Sequence, residues 1–168
     1  MTTTLTVRDA VEADLPAIVA IYNQTIPGRM VTADTEPVSV ESRVPWFHAH
    51  NPRTRPLWVV ADQGVVCAWL SLNSFYGRPA YFPTAEVSIY VSETHRRRGV
   101  GRDLLERILA YAPQCQVRNL LGFIWKHNEP SLKLFSAHGF ERWGHLPRVA
   151  VLDEIERDLI ILGRRLGP

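Results

Sequence analysis

The chain has 168 residues and is 46% hydrophobic, enough to bury one sizeable core and too short for two comfortable domains, so a single domain over residues 1–168 is expected. Nineteen Lys and Arg residues stand against 17 Asp and Glu, and a net charge of +2 gives no reason to expect a nucleic-acid or membrane partner. No apolar run approaches the roughly 20 residues of a bilayer span. Asp9, Glu12 and Asp14 occupy the region where a secretion signal would carry a basic start and an apolar centre, so a cytoplasmic location is expected.

In chain order, Leu5 to Arg8 alternates like a strand, and Asp14 is placed to cap a helix whose Leu15, Ile18, Val19 and Tyr22 share one face. Ser39 to His50 reads as a second helix, interrupted by Pro45. Leu57 to Ala61 and Val65 to Leu72 flank Asp62-Gln63-Gly64 and form a hairpin. After a loop from Phe75 to Pro83, Ala85 to Val91 alternates as a strand and runs into Glu93 to Gly101. Val100, Leu104, Leu105, Ile108 and Leu109 then make the apolar face of an amphipathic helix, opposite Arg102, Asp103, Glu106 and Arg107. Leu120 to Trp125 is a buried strand, and a helix follows from Asn128, with Pro130 in its first turn and Gly139 at its end. Phe140 to Leu146 and Leu159 to Leu162 supply two last strands, giving a mixed sheet with helices against it.

Cys67 and Cys115 lack any paired spacing and read as buried free thiols. The histidines at 48, 50, 95, 127, 138 and 145 show no metal-ligand spacing, so no metal is expected. The chemistry concentrates between Glu86 and Leu109. Gly99 and Gly101 let a backbone approach an anion, unpaired N–H groups open the helix, and Arg96, Arg97, Arg98 and Arg102 add positive charge. The loop lacks the Gly-Lys-Ser/Thr of a nucleoside-triphosphate cradle and the third glycine of a dinucleotide fingerprint. No aromatic series accompanies the arginines, which argues against a nucleic-acid patch. On pattern alone Glu86 is equally the polar member of an alternating strand.

Arg96-Arg97-Arg98-Gly99-Val100-Gly101 resembles the Gln/Arg-x-x-Gly-x-Gly/Ala signature of the GCN5-related N-acetyltransferase (GNAT) superfamily. Arg78-x-x-Tyr81, the run Thr84 to Ser92, and Asn128-x-x-Ser131 before Gly139-Phe140 are similar to its phosphinothricin and methionine-sulfone acetyltransferase branch. The resemblance implies an α+β (α/β three-layer) GNAT fold, with a mixed, splayed central sheet of about seven strands flanked by four helices. It implies acetyl-CoA as co-substrate, with the pyrophosphate on residues 96 to 102, the pantetheine arm beside Ile89, Tyr90 and Val91, and Asn128 and Phe135 near the reactive end. It further implies Glu86 as general base for a small amino-acid-like primary amine, Arg78 and Tyr81 as candidate substrate contacts, and a possible homodimer.

Two departures stand out. Phe135 occupies a position where the superfamily often carries Tyr and the branch His, so the thiolate leaves without an enzymatic acid or Tyr90 or His138 serves instead. Val149 to Arg157 replaces the branch's Lys-x-Gly-x-Trp stretch, and its Asp153, Glu154 and Glu156 form either an acidic mouth or a solvated turn. Phe75, Tyr76, Tyr81 and Phe82 form either an apolar pocket or ordinary packing. Three readings of function follow: a small-molecule amine acetyltransferase, an enzyme acting on protein N-termini or lysines, or a catalytically silent acyl-CoA sensor.

Overall fold

A computed structural model describes residues 4–167. Seven strands make one sheet: β1 (Leu5–Asp9), β2 (Leu57–Asp62), β3 (Val65–Ser74), β4 (Thr84–Val91), β5 (Asn119–Trp125), β6 (Glu141–Leu152) and β7 (Ile155–Arg165), in spatial order β1-β2-β3-β4-β5-β7-β6. Every neighbouring pair is antiparallel except β4 and β5, which run parallel and need a crossover. Four helices cover the sheet: α1 (Leu15–Gln24), α2 (Val40–His48), α3 (Val100–Tyr111) and α4 (Glu129–Ala137). The expected three-layer GNAT architecture is thereby met.

Strand alternation sets the layers. Val60, Ala68, Leu70, Leu72, Ala85 and Val87 turn to one face, where Val100, Leu104, Leu105 and Ile108 of α3 and Phe135 of α4 complete the main core. Val59 and Trp69 turn to the other, against Ile18 and Ile21 of α1, with Trp46 and Phe47 of α2 at the margin. Cys67 and Cys115 are both buried and free, as expected. No helix among the described residues is long and apolar enough to cross a membrane.

Local chemistry accounts for most boundaries. Gln63 and Gly64 both have positive φ, +50° and +85°, which closes the β2–β3 hairpin in two residues. The Ser39 hydroxyl accepts from the Ser42 N–H at 3.1 Å and starts α2, which carries Pro45 within it. Asn128 caps α4 through the Ser131 N–H at 3.3 Å, and Gly139, at φ +80°, follows its end. Asp14 departs from the capping role expected of it. Its carboxylate accepts the Val11 N–H at 2.8 Å and pairs with both Nη atoms of Arg8 at 2.7 and 2.9 Å, fixing a 3-10 turn ahead of α1.

The last two strands are much longer than Phe140 to Leu146 and Leu159 to Leu162. They form a hairpin of 12 and 11 residues around Asp153 and Glu154, both at positive φ, +50° and +65°. Asp153 pairs with Arg29 at 3.0 Å, so the acidic stretch is a turn. Between Leu146 and Ala150 the ladder of β6 bulges, and Asp158 holds the bulge by accepting the Arg148 N–H at 2.9 Å and facing His145 at 2.7 Å. Those contacts, the Arg148 N–H first, keep the Asp158 carboxyl down at about 2.

Candidate functional site

Thr84, Ala85 and Glu86 pair with Asn119, Leu120 and Leu121, and there the β4–β5 ladder stops, although β4 continues to Val91 and β5 to Trp125. The strands splay, leaving one edge of β4 from Val87 onward without a strand partner. A cavity of about 490 Å³ fills the gap, with Glu86 to Val91 on one wall, Phe123 to Trp125 on the other, and Gly101, Asn128, Leu134 and Phe135 below. Val31, Thr32 and Ala33, from the loop between α1 and α2, also line it.

Glu86 stands half-buried at the point of separation, and loss of hydration raises its carboxyl from 4.5 to about 7. Across β3 its partner is Asn73. Asn73 is held in turn: its Oδ1 accepts from Trp46 Nε1 at 3.2 Å and lies 3.1 Å from His50 Nε2. His50 Nδ1 lies 2.8 Å from the Trp46 carbonyl, to which it donates, and burial pushes the imidazole below its usual range.

Of the basic Gly-x-Gly segment, Gly101 lines the same cavity. Ser92 and Thr94 approach His95 Nδ1 at 3.0 and 2.8 Å, and His95 Nε2 meets Asp62 at 3.0 Å, which ties the turn before the loop to the β2–β3 hairpin. Gly99, at φ +78°, turns the chain into α3, and the first helical bond runs from the Asp103 N–H to the Gly99 carbonyl at 3.0 Å. The N–H groups of residues 100 to 102 precede it and have no acceptor within the helix. Arg96, Arg97, Arg98 and Arg102 are exposed around them, whereas Val100 packs into the core. A Cβ on Gly101 would lie 3.9 to 4.0 Å from Leu134, Ile89 and Val91, so the bare backbone keeps the cavity floor open. Cationic loop, free amides and open floor together suit a long ligand whose phosphates rest on the loop and whose narrow arm enters the splay.

The model of the acetyltransferase (GNAT) family matches residues 17–140. The chain belongs to the GNAT acetyltransferase family. Over 164 residues it is 55% identical to a Bacillus subtilis protein named "Putative phosphinothricin acetyltransferase YwnH", covering 97% of this chain and all of that one. Over 163 residues it is 31% identical to the L-methionine sulfoximine/L-methionine sulfone acetyltransferase of Pseudomonas paraeruginosa, covering 96% and 95%. It also matches the structure of a GNAT superfamily phosphinothricin acetyltransferase from Sinorhizobium meliloti in complex with acetyl-CoA, with TM-score 0.90, 30% identity, and 99% and 90% coverage. The cradle described above fits acetyl-CoA.

In this GNAT acetyltransferase, Glu86, Ile89, Tyr90, Val91, Gly101, Asn128 and Phe135 all line the splay. Asn128 is also spent within the protein, since its Nδ2 donates to the Met30 carbonyl at 2.9 Å while its Oδ1 caps α4. With His127 bonded to the Arg29 carbonyl at 2.8 Å and Trp125 Nε1 to the Thr32 carbonyl at 3.4 Å, it pins the loop between α1 and α2. Phe135 is buried against Phe140 at 4.8 Å. Tyr90 reaches the cavity, and burial raises its hydroxyl. His138 instead bonds the Leu134 carbonyl and Glu106.

Arg78 and Tyr81 are not among the residues lining the Glu86 cavity of this chain. They border a separate depression of about 380 Å³ with Arg55, Phe75 and Phe82. Phe75, Tyr76 and Tyr81 touch one another at 4.2 to 5.7 Å, with Tyr76, Tyr81 and Phe82 exposed. A second pocket behind β4, bounded by α1, α2 and β3, was not expected from the sequence. It measures about 260 Å³, and Ser88 and Tyr90 belong to its wall and to the cavity alike. The strand alternation that puts Ser88 and Tyr90 on one face was its one sequence signal; the facing residues come from three distant segments.

Proposed function

We propose that the chain transfers the acetyl group of acetyl-CoA to the primary amine of a small amino-acid-like molecule, with Glu86 as general base. The observation that carries this reading is the position of Glu86. It lies on the last paired rung before the splay, half-buried, with a carboxyl near 7, close to the pH at which it must accept a proton. An acceptor amine arrives as an ammonium ion. Glu86 takes one proton, directly or through one water, the freed nitrogen attacks the thioester carbonyl, and the second proton, acidic once the nitrogen is bonded to the acyl carbon, passes to solvent water as the C–S bond breaks. The cofactor supplies the activated acyl group and the thiolate leaving group. Residues 96 to 102 hold its phosphates, and the unpaired edge of β4 beside Ile89 to Val91 holds its arm and offers N–H groups to the developing oxyanion. Phe135 cannot donate a proton. The low basicity of a thiolate lets it depart without one.

Two supports favour a small acceptor over a protein. Residues 31 to 33 line the cavity that holds Glu86 and narrow its approach, and the pocket behind β4 measures only about 260 Å³. The relatives named for phosphinothricin and for methionine sulfoximine or sulfone point the same way. The test is release of CoA thiol from acetyl-CoA across amino acids, methionine sulfone, phosphinothricin and polyamines, with Glu86→Gln alongside. Turnover on an amino acid that collapses in Glu86→Gln while acetyl-CoA still binds is the expected result. Binding of acetyl-CoA without acetylation of any amine or peptide would replace this reading with that of a sensor.

A further inference from the structure

The pocket behind β4 has no role in acyl transfer as described, yet it adjoins the reacting centre through Ser88 and Tyr90. Its walls are aromatic. Trp69 stacks on Tyr90 at 4.5 Å, Trp46 meets Trp69 edge-on at 5.4 Å, and Tyr22 tilts against Tyr90 at 5.2 Å. Such faces suit a short apolar stem and offer little to a hydrated one.

One cation lines this box. Arg43, from α2, is half-buried and lies over the Tyr22 ring at 5.0 Å, and its Nη2 donates to Asp34 at 3.0 Å. Asp34 also accepts from the Tyr22 hydroxyl, so the carboxylate fixes both side chains. Among the described residues, Nε and Nη1 of Arg43 make no hydrogen bond, which leaves three N–H donors unspent at the pocket wall. Ser71, Asn73 and Ser88 are uncharged, and among the lining residues Arg43 is the only one with a permanent charge. An amine-tipped side chain would find no acceptor on Arg43, whose charge is already paired with Asp34. An oxygen-tipped one would meet charged N–H donors from which it can accept.

We propose that this pocket receives the side chain of the acceptor amino acid, and that Arg43 selects a strong oxygen acceptor, a sulfonyl, phosphinyl or carboxylate oxygen, at its tip. The inference rests on the acetyltransferase reading above. With the α-amine at Glu86, the side chain passes Ser88 and Tyr90, lays its methylenes on the aromatic walls and ends at Arg43. Arg43 is therefore a specificity-determining residue.

Methionine sulfone and norleucine test this directly, because their side chains have the same length and differ mainly in the two oxygens. The ratio of their kcat/KM values is measured for the wild type and for Arg43→Met. The wild type should prefer the sulfone, and the ratio should fall about tenfold or more in Arg43→Met, the scale of losing one hydrogen bond from a charged donor. Norleucine should lose far less than the sulfone. Arg43→Lys, which keeps the charge but not the fork, should retain part of the preference and serves if the Met variant fails to fold. A ratio unchanged in both variants, or parallel losses on both acceptors, overturns the proposal. Failure of the underlying reading looks different: the wild type itself then releases no thiol with any amine.

Discussion

Glu86 faces Leu121 on the last rung that joins β4 to β5, so one residue both ends the ladder and stands at the mouth of the gap. Because the parallel pairing spans only three rungs, the splay places a carboxylate beside backbone that has lost its strand partner. Burial of the side chain at that point strips water from the carboxyl and raises it to about 7.

That shift makes acyl transfer and stability respond oppositely to pH. A general base acts in its ionised form, so under the proposed role of Glu86 kcat/KM should rise with pH through a group near 7, and Glu86→Gln should lower it by roughly 10² to 10⁴ and erase that limb. The folded carboxyl holds its proton more tightly than an unfolded one at 4.5, so its contribution to stability is full below 4.5 and is lost as pH rises through about 7. Glu86→Gln should therefore lose less stability than the wild type between pH 5 and 8, a window taken from that shift. Thermal melts of both proteins across the window check the sign.

Two glycines of the phosphate loop should fail for different reasons. Gly99 has φ +78° with nothing within 4 Å of a Cβ, so Gly99→Ala costs backbone strain alone, about 1–2 kcal/mol. Gly101 has ordinary φ, and its Cβ would meet three side chains at normal contact distance. Gly101→Ala should leave the melting temperature nearly unchanged and raise the KM for acetyl-CoA, because the methyl intrudes on the cavity floor. Equal effects of both variants on stability would contradict that division.

How much of this was legible in the sequence follows from where each signal is stored. The amphipathic α3 and the basic Gly-x-Gly loop are local patterns, and the structure places Gly101 and Glu86 on one cavity. The β6–β7 hairpin was under-read because Trp143, Leu146, Val149, Val151 and Ile155 are exposed and the ladder is bulged twice, which blurs alternation. Its turn uses Asp153-Glu154 where Asn-Gly is usual. Arg43, Trp46 and Asn73 were invisible as a site, since α2 and β3 meet only after folding. Arg78 and Tyr81 carry a family motif, and this chain sets them beside Arg55 on a depression separate from the Glu86 cavity.

The loop between α1 and α2 should depend on Asn128 beyond helix capping. Its side chain is buried, and one amide both caps α4 and holds the Met30 carbonyl. Asn128→Ala removes the cap, worth about 1 kcal/mol, and also leaves the Met30 carbonyl unbonded. Asn128→Asp keeps the capping oxygen and loses the Nδ2 donor. The Asp variant should therefore retain most of the stability while its KM for acetyl-CoA rises, and hydrogen exchange should quicken at residues 30 to 33 in both variants. Unchanged exchange there would show that His127 and Trp125 suffice to hold the loop.

Gly122 and Phe135 offer a sharper test of how tightly the cavity wall is built. A Cβ on Gly122 would lie 2.9 Å from Cε1 and 3.1 Å from Cδ1 of Phe135, and that ring is buried against Phe140 at 4.8 Å with little room to retreat. Gly122→Ala should overpack the core at a cost of about 1–3 kcal/mol and push Phe135 toward the cavity that it lines, raising the KM for acetyl-CoA. Phe135→Leu alone should also destabilise, by leaving space where the ring was. Combined, the two changes relieve one another, since the smaller side chain vacates the volume the new methyl needs. The double variant should be more stable than the sum of the single losses allows, by about 0.5–3 kcal/mol of coupling. Additive losses in chemical denaturation would mean that the sheet moves at Gly122 instead of the ring at Phe135.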